Sequence, residues 1–169
     1  MSRNVRLVWK AAKKPLTGYH IQVNTQPDFQ GASYADQDLG PKKAQFAIGG
    51  LPFGIYYWRV AVIDATGQSA YSAPLSFEVT LLKSPKKGAG KQKITPKLAW
   101  QSVKGASFNV EIFTNPNDPE GSLAIPMGTT SKSSFPVPKL TPLSPGTTYF
   151  WRVRANGGQW TLPWSFTTK

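Results

Sequence analysis

Four short sequence blocks occur twice in this chain of 169 residues, in the same order in each half. The paired blocks are Leu7–Lys10 with Leu98–Gln101, Tyr19–Val23 with Phe108–Ile112, Gly54–Val60 with Gly146–Val153, and Ala73–Phe77 with Leu162–Phe166. The spacing between equivalent residues is nearly constant, as three pairs show: Trp9 and Trp100 (91 positions), Trp58 and Trp151 (93), and Phe77 and Phe166 (89). Such a repeat indicates two copies of one folding unit. Each copy has about 75–80 residues, a size that can fold alone.

Inside the blocks, apolar and polar residues alternate with a period of two. Tyr19, Ile21 and Val23 are separated by His20 and Gln22, and the corresponding blocks of the second half follow the same rule. Successive side chains of a β-strand point to opposite faces, so this pattern predicts strands with one buried row. No segment of ten or more residues has a helical period. Glycine- and proline-rich clusters separate the strands, and the sequence therefore predicts an all-β chain of two tandem β-sandwiches.

The order of these motifs resembles that of fibronectin type III domains. Trp9 and Trp100 stand where that family places the buried tryptophan of its second strand, and Tyr56 and Tyr149 stand where it places its tyrosine corner. The resemblance implies two fibronectin type III-like (immunoglobulin-like) sandwiches. The predicted boundaries are residues 1–81 for the first domain, 82–93 for a basic linker, and 94–169 for the second domain.

A narrower resemblance is present in the first copy. The segments Tyr19–Phe29, Leu51–Val60 and Val62–Gly67 resemble modules at the C-terminal side of bacterial FecR-domain envelope proteins. The second copy departs from this version, because Thr114–Asn117 replaces its Asp-x-x-Phe segment. The resemblance implies that the chain is part of a longer exported protein that is periplasmic or associated with the cell envelope.

The predicted linker is lysine-rich, and the whole chain has a net charge of +12. Such an excess of positive charge favours anionic partners. Two interpretations of the linker follow from its composition, a solvated and self-repelling hinge or a docking strip for an anionic polymer. Its lysines are Lys83, Lys86, Lys87, Lys91 and Lys93.

Residues for catalysis are scarce. The chain has no cysteine and a single histidine, His20, so a metal site of nitrogen and sulfur ligands is not expected. His20 is interpreted as an ordinary surface residue of a strand, and Asp36 and Asp38 as loop residues. No phosphate-binding glycine motif and no nucleophile turn occurs. The sequence therefore predicts neither an enzyme nor a cofactor.

Candidate binding residues lie on the predicted outward face of the penultimate strand of each copy. These are Tyr57, Arg59, Phe150, Arg152 and Arg154, which either form a contact surface or cover the sheet with their long side chains. Two further aromatic residues, Trp160 and Trp164, flank the last turn of the second copy. They either cap the core or form a platform for stacking on sugars.

These observations predict a non-catalytic tandem module that serves as a spacer and as a protein-binding or adhesion surface of a bacterial cell-envelope protein. The alternative is binding to an anionic or carbohydrate polymer, such as peptidoglycan or lipopolysaccharide, through the basic and aromatic residues. Nucleic acid is not an expected partner, because no motif that reads DNA or RNA is present. No stretch approaches the roughly 20 apolar residues of a membrane span. The oligomeric state is left open.

Overall fold

The computed structural model describes residues 4–13, 15–126 and 128–169. These residues form fifteen β-strands, and within them there is no helix, which confirms the predicted all-β class. None of them therefore lies in a helix long and apolar enough to cross a membrane. The chain divides into two compact units, Met1–Val79 and Thr80–Lys169. Each unit has its own pair of sheets.

The first unit contains seven strands in two sheets. They are β1 (Val5–Val8), β2 (Gly18–Asn24), β3 (Ala35–Leu39), β4 (Gln45–Ile48), β5 (Gly54–Asp64), β6 (Gly67–Gln68) and β7 (Leu75–Val79). Strands β1 and β4 form the smaller sheet. The larger sheet has the order β3-β2-β5-β6, and β7 also pairs with β5. All of these pairings are antiparallel.

The core of the first unit lies between its two sheets. Leu7 and Ile48 of the smaller sheet pack with Ile21, Val23 and Trp58 of the larger one. These residues stand on the inward phase of their strands, as the alternation predicts, and each is less than 9% exposed. A row of apolar side chains from each sheet thus meets in one buried layer, which is the arrangement of a β-sandwich.

The second unit contains eight strands in two sheets. They are β8 (Leu82–Ser84), β9 (Ala89–Gln92), β10 (Lys97–Trp100), β11 (Phe108–Phe113), β12 (Gly128–Thr130), β13 (Ser134–Pro136), β14 (Thr148–Ala155) and β15 (Trp164–Thr168). The smaller sheet has the order β13-β10-β8 and the larger one β12-β11-β14-β15-β9. Among the strand pairings of the described residues of this unit, only that of β9 with β15 is parallel. Leu98, Trp100, Ile112, Trp151 and Phe166 are among its most deeply buried side chains.

The lysine-rich segment 82–93 belongs to the second unit, which corrects its interpretation as a free linker. Strand β8 pairs with β10, and β9 pairs with β15. Leu81 and Leu82 are buried, as is Pro85, whereas the five lysines of the segment are exposed. The composition suggested a linker because the outward lysines outnumber the few apolar residues that attach the segment to the sandwich.

Segment Ala35–Leu39 is also a strand, which corrects the interpretation of Asp36 and Asp38 as loop residues. Strand β3 pairs with β2 along five residues, with Asp36 opposite Gln22 and Asp38 opposite His20. Its sequence has no apolar alternation because it lies at the edge of the sheet and buries little of itself. Its backbone pairing and polar contacts hold it in place.

The two corner tyrosines are buried, and each makes a hydrogen bond to backbone a few residues upstream. The Tyr56 hydroxyl donates to Pro52 O at 2.9 Å, and the Tyr149 hydroxyl accepts from the Ser144 N–H at 2.9 Å. Burial, together with a hydrogen bond and charge interaction with Tyr34, raises the pKa of Tyr56 to about 12. Both tyrosines thus fix the turn that leads into the strand on which they lie.

Candidate functional site

The outward faces of the two larger sheets carry arginine side chains at equivalent positions. Arg59 on β5 and Arg152 on β14 are both half-buried, and each directly follows a buried tryptophan. Their neighbours Trp58 and Trp151 point into the cores. Because alternate side chains of a strand lie on opposite faces, both arginines point away from the core.

Arg59 lies between two aromatic rings. Its guanidinium carbon is 4.1 Å from the centroid of Phe29 and 4.1 Å from that of Tyr71. Its Nε donates to Gln22 Oε1 at 2.8 Å across the β2–β5 pair. Cation–π contacts on both faces of the guanidinium hold the side chain in one position.

A compact turn places Phe29 against Arg59. Asn24 is 1% exposed, and its side chain accepts from the Gln26 N–H at 2.9 Å and donates to Gln30 O at 3.2 Å. Phe29 itself has a positive φ of 62°, which is uncommon for a residue other than glycine. Phe29 therefore adopts a left-handed backbone conformation in this turn, and its ring packs on the guanidinium of Arg59.

His20 bridges the two carboxylates of β3 beside this arginine. Its Nδ1 is 2.6 Å from Asp38 Oδ1, and its Nε2 is 2.6 Å from Asp36 Oδ1. Partial burial by itself lowers the pKa of the imidazole, but hydrogen bonds and charge interactions with Asp38 and Asp36 outweigh it. The pKa of His20 is therefore raised above its ordinary value of 6.5. Tyr71 also meets the imidazole ring edge-on, with 5.9 Å between ring centroids.

In the second unit, one tryptophan covers two arginines. The guanidinium carbons of Arg152 and Arg154 each lie 4.5 Å from the Trp160 ring centroid. Arg152 Nε also donates to Glu111 Oε2 at 2.7 Å, and Glu111 is only 6% exposed. Arg154 Nε donates to Asn109 Oδ1 at 3.1 Å. Two arginines and one glutamate give the cluster one net positive charge. The Trp160 ring and two cross-strand hydrogen bonds hold both guanidinium groups in place.

The other predicted surface residues are placed differently. Phe150 stacks on Phe113, with 6.1 Å between centroids, and Phe113 is fully buried. Tyr57 is half-buried on the outward phase of β5, opposite Ser76 of β7. The structure therefore brings Arg152, Arg154 and Trp160 together, with Phe150 farther along the same face of β14.

Trp160 and Trp164 do not form a shared platform. Trp164 lies directly opposite Trp151 in the β14–β15 ladder, and directly opposed residues of two strands point to the same face. Trp151 points into the core, so Trp164 stands on the inward phase, whereas Trp160 contacts arginines of the outward face. Strand phase separates the two indoles even though they are four positions apart in sequence.

The lysines of segment 82–93 lie at the rim of the second unit. Lys83 is on β8, Lys91 is on β9, and the remaining three lie beside these strands. All five are exposed. Lys91 has a positive φ of 54° at the irregular position of the β9–β15 pairing. Strand β9 is two strands from β14 in the same sheet, about 10 Å away at ordinary strand spacing.

Comparisons with known proteins find matches at low sequence identity among solved structures. No protein-family model matches the chain. No curated protein matches it either. Among solved structures, the FN1–FN3 domains of chicken CNTN1 match at 15% identity and a TM-score of 0.37, covering 99% of this chain and 63% of that one. A two-domain fibronectin type III segment of chicken tenascin matches at 14% identity and a TM-score of 0.44, covering 96% and 89%. The chain thus spans less than two thirds of the CNTN1 fragment.

The strand order of each unit decides the fold, together with the two tyrosine corners. Each unit is a fibronectin type III-like β-sandwich. In both sandwiches the arginine cluster lies on the outward face of the larger sheet, on the strand that also carries the corner tyrosine. This strand is central in its sheet, so its outward side chains have neighbours on both sides.

The acidic and imidazole groups of the described residues are not arranged as a metal site. Across the part of the chain that the structure describes, no group of three or more such side chains is arranged to hold a metal ion. In the His20 cluster, each ring nitrogen faces a different carboxylate, so the three groups satisfy one another. The arrangement is a polar network on a sheet face.

Sequence reasoning missed Phe29, Tyr71 and the aspartate partners of His20. The register of β2 against β3 brings Asp36 and Asp38 to His20, and a loop brings Tyr71 to the face from the far side of β5. One signal was available in the sequence. Aspartates two positions apart match the spacing of side chains on one face of a strand.

Proposed function

We propose that this chain is a non-catalytic tandem module of a bacterial cell-envelope protein, where it serves as a spacer and a protein-binding surface. The observation that carries the binding role is the arginine–aromatic cluster on the outward face of each larger sheet. The envelope location and the FecR-domain context are supported by the motifs of the first copy, Tyr19–Phe29 and Leu51–Val60.

The clusters suit protein recognition because their side chains are already ordered. Arginine and aromatic residues contribute strongly to binding at protein interfaces. Arg59 is held by Phe29, Tyr71 and Gln22, so binding a partner would cost little side-chain entropy. Neighbouring carboxylates on β3 add negative charge beside the cation, which makes the first face mixed in sign.

Site-directed photocrosslinking in the source cell tests this role. A photoreactive phenylalanine analogue at Tyr57, beside Arg59, should give a discrete protein adduct. The adduct should disappear when Arg59→Ala is added. The control carries the same analogue at Leu140, which is 96% exposed and lies in a loop of the second unit. Equal crosslinking from both positions, or an adduct that Arg59→Ala leaves unchanged, would contradict a specific surface.

A second candidate function is binding to an anionic envelope polymer, such as peptidoglycan or lipopolysaccharide. The observation that favours it is the exposure of five lysines on a segment that is built into the second unit. Strand β9 carries Lys91 in the same sheet as Arg152 and Arg154. Cations fixed on one sandwich attract a polyanion more strongly than the same charges on a free hinge, because their spacing is already set.

Co-sedimentation with purified peptidoglycan and with lipopolysaccharide micelles tests this candidate at several salt concentrations. Retention should fall steeply above about 0.1 M salt, where the screening length is roughly 10 Å. Replacing the five lysines of segment 82–93 by glutamine should abolish retention. Matched replacement of five other exposed lysines of the second unit should reduce it less: Lys97, Lys104, Lys132, Lys139 and Lys169. If retention were unchanged by salt and by the five replacements, a polyanion site on this segment would be rejected.

A further inference from the structure

A cavity lies on the loop that joins β2 to β3 in the first unit. Its volume is about 530 Å³, and its lining comes from both ends of the loop, residues 24–26 and 30–34. Small-molecule sites of proteins have volumes of roughly 300–1,000 Å³. Most of the lining residues are exposed, so the cavity opens to solvent. Phe29, which packs on Arg59, is not part of the lining, so the cavity is separate from the arginine cluster.

Hydrogen bonds within the loop fix the shape of this cavity. The buried side chain of Asn24 accepts from the Gln26 N–H at 2.9 Å and donates to Gln30 O at 3.2 Å, so it ties one side of the lining to the other. The Tyr34 N–H donates to Val23 O at 2.8 Å and closes the loop at its base. A site whose shape is already fixed costs little ordering entropy when it binds a ligand.

Tyr34 supplies an accessible aromatic ring to the lining. It is 46% exposed, yet its ring meets that of Tyr56 edge-on, with 5.1 Å between the centroids and 87° between the planes. A hydrogen bond also joins the two side chains. The ring is therefore both fixed and accessible. Such a ring offers a flat apolar surface on which the C–H bonds of a sugar can pack.

The other side chains that reach the cavity are polar and uncharged. Thr25 and Ser33 carry hydroxyl groups, and Gln26 and Gln30 carry amides. The two glutamine side chains make no hydrogen bond to any other residue that the structure describes. A carboxamide donates through its nitrogen and accepts through its oxygen. These groups match a ligand rich in hydroxyls, because each hydroxyl also donates and accepts.

Charge narrows the class of ligand. The chain has a net charge of +12, but none of the residues that line this cavity is charged. The one carboxylate of the loop, Asp28, accepts from the Gln30 N–H at 3.1 Å and does not belong to the lining. A phosphate or carboxylate would lose water here without gaining a cation in return. The lining therefore favours an uncharged polar ligand.

We propose that this cavity binds an uncharged sugar unit of a glycan. The Tyr34 ring packs on the sugar, and the amides of Gln26 and Gln30 bond to its hydroxyl groups. Binding of this kind combines one apolar contact with a few oriented polar groups, as is usual in small-molecule sites. The site goes beyond the proposed function, because it shares no residue with the arginine clusters or with segment 82–93.

The test uses the full chain and linear tetramers of glucose, mannose, galactose and N-acetylglucosamine. Nitrogen-15 NMR should show saturable shifts at the backbone amides of Gln26, Gln30 and Tyr34 with at least one tetramer. These shifts should not depend on salt. The same tetramer oxidised to carboxylates at its primary hydroxyls should bind the cavity about tenfold more weakly at physiological salt, because its carboxylates find no cation there.

Substitutions in the lining test the named contacts. Gln26→Ala and Gln30→Ala should each weaken binding about three- to tenfold, which is the effect of losing one hydrogen bond. Gln37→Ala is the matched control, since Gln37 is an exposed glutamine of β3 outside the lining, and it should not change binding. Tyr34→Leu should weaken binding about tenfold and Tyr34→Phe less, because only leucine removes the ring. Should Tyr34→Leu unfold the first unit, the glutamine variants still decide the question.

Three results would overturn the proposal. One is the absence of any shift at the loop amides with all four tetramers up to tens of millimolar. Another is equal binding by Gln37→Ala and by the two lining variants, which would place the sugar elsewhere. The third is tighter binding of the oxidised tetramer at the same amides, with a steep loss in salt. That result would mean that the positive charge of the chain attracts the ligand and that the uncharged lining does not select it.

Discussion

Arg152 and Glu111 lie directly across from each other on β14 and β11, with 2.7 Å between Nε and Oε2. The equivalent cross-strand pair of the first unit is Arg59 and Gln22, at 2.8 Å. The glutamine is explained by its neighbour, because Gln22 Nε2 also donates to Asp36 Oδ2 at 3.1 Å. A carboxylate in its place would face a second carboxylate, whereas an amide supplies one acceptor and one donor.

Gln22→Glu should therefore destabilise the first unit at neutral pH by about 1 kcal/mol. Repulsion between the new carboxylate and Asp36, with the loss of the hydrogen bond from Gln22 to Asp36, outweighs the gain from pairing with Arg59. The loss should shrink below about pH 4, where a glutamate becomes protonated. Urea unfolding at pH 7 and pH 4 measures both values. The matched change in the second unit, Glu111→Gln, should also destabilise, by about 1–2 kcal/mol, because it removes the charge from a buried ion pair. A stabilising effect of Gln22→Glu at pH 7 would contradict this account.

The His20 cluster should make the first unit less stable as pH rises. The pKa of His20 is raised in the folded state, so its contribution is fully present below pH 6.5 and is lost as pH rises through the folded-state pKa. Thermal unfolding from pH 5 to pH 9 should show this loss, and His20→Gln should remove it. The charged and titratable groups that face the imidazole are Asp36, Asp38 and Tyr71.

A proton NMR titration gives the pKa of His20 directly, because the chain has one histidine. Asp36→Asn and Asp38→Asn should each lower this pKa. Asp28→Asn is the control, since its carboxylate caps a turn through the Gln30 N–H and should leave the titration unchanged. An unshifted pKa in the native chain would show that the two carboxylates do not hold the imidazolium.

Segment 82–93 should contribute to the stability of the second unit through its leucines and not through its lysines. Leu82→Ala should cost about 2–4 kcal/mol, because it empties a buried site where β8 meets β10. Lys83→Gln, at the next position of the same strand, should change the unfolding free energy by less than about 0.5 kcal/mol. Equal effects of the two substitutions in chemical unfolding would mean that the segment behaves as a free linker after all.

Trp151 should tolerate phenylalanine far better than alanine. It is fully buried, and its indole N–H has no hydrogen-bond partner among the described residues, so phenylalanine removes volume but no polar contact. We expect a loss of about 3–5 kcal/mol for Trp151→Ala and about 1–2 kcal/mol for Trp151→Phe. Urea unfolding measures both. A large penalty for phenylalanine would indicate a bond from the indole nitrogen.

The sequence by itself determined the two copies, the strand class and the buried rows. Alternation is a local property, because neighbouring side chains of a strand must point to opposite faces, and Tyr19, Ile21 and Val23 are buried accordingly. The repeat then fixed the same pattern in the second half. None of these features depends on which strands are neighbours in a sheet.

Only the tertiary structure decided what depends on register and strand order. It joined His20 to Asp36 and Asp38, placed Trp160 over two arginines, and turned Trp164 to the opposite face. It also attached the lysine-rich segment to the second sandwich. Pairings between residues distant in sequence arise when a whole sheet assembles, and a one-residue slip would have exchanged every outward side chain for an inward one.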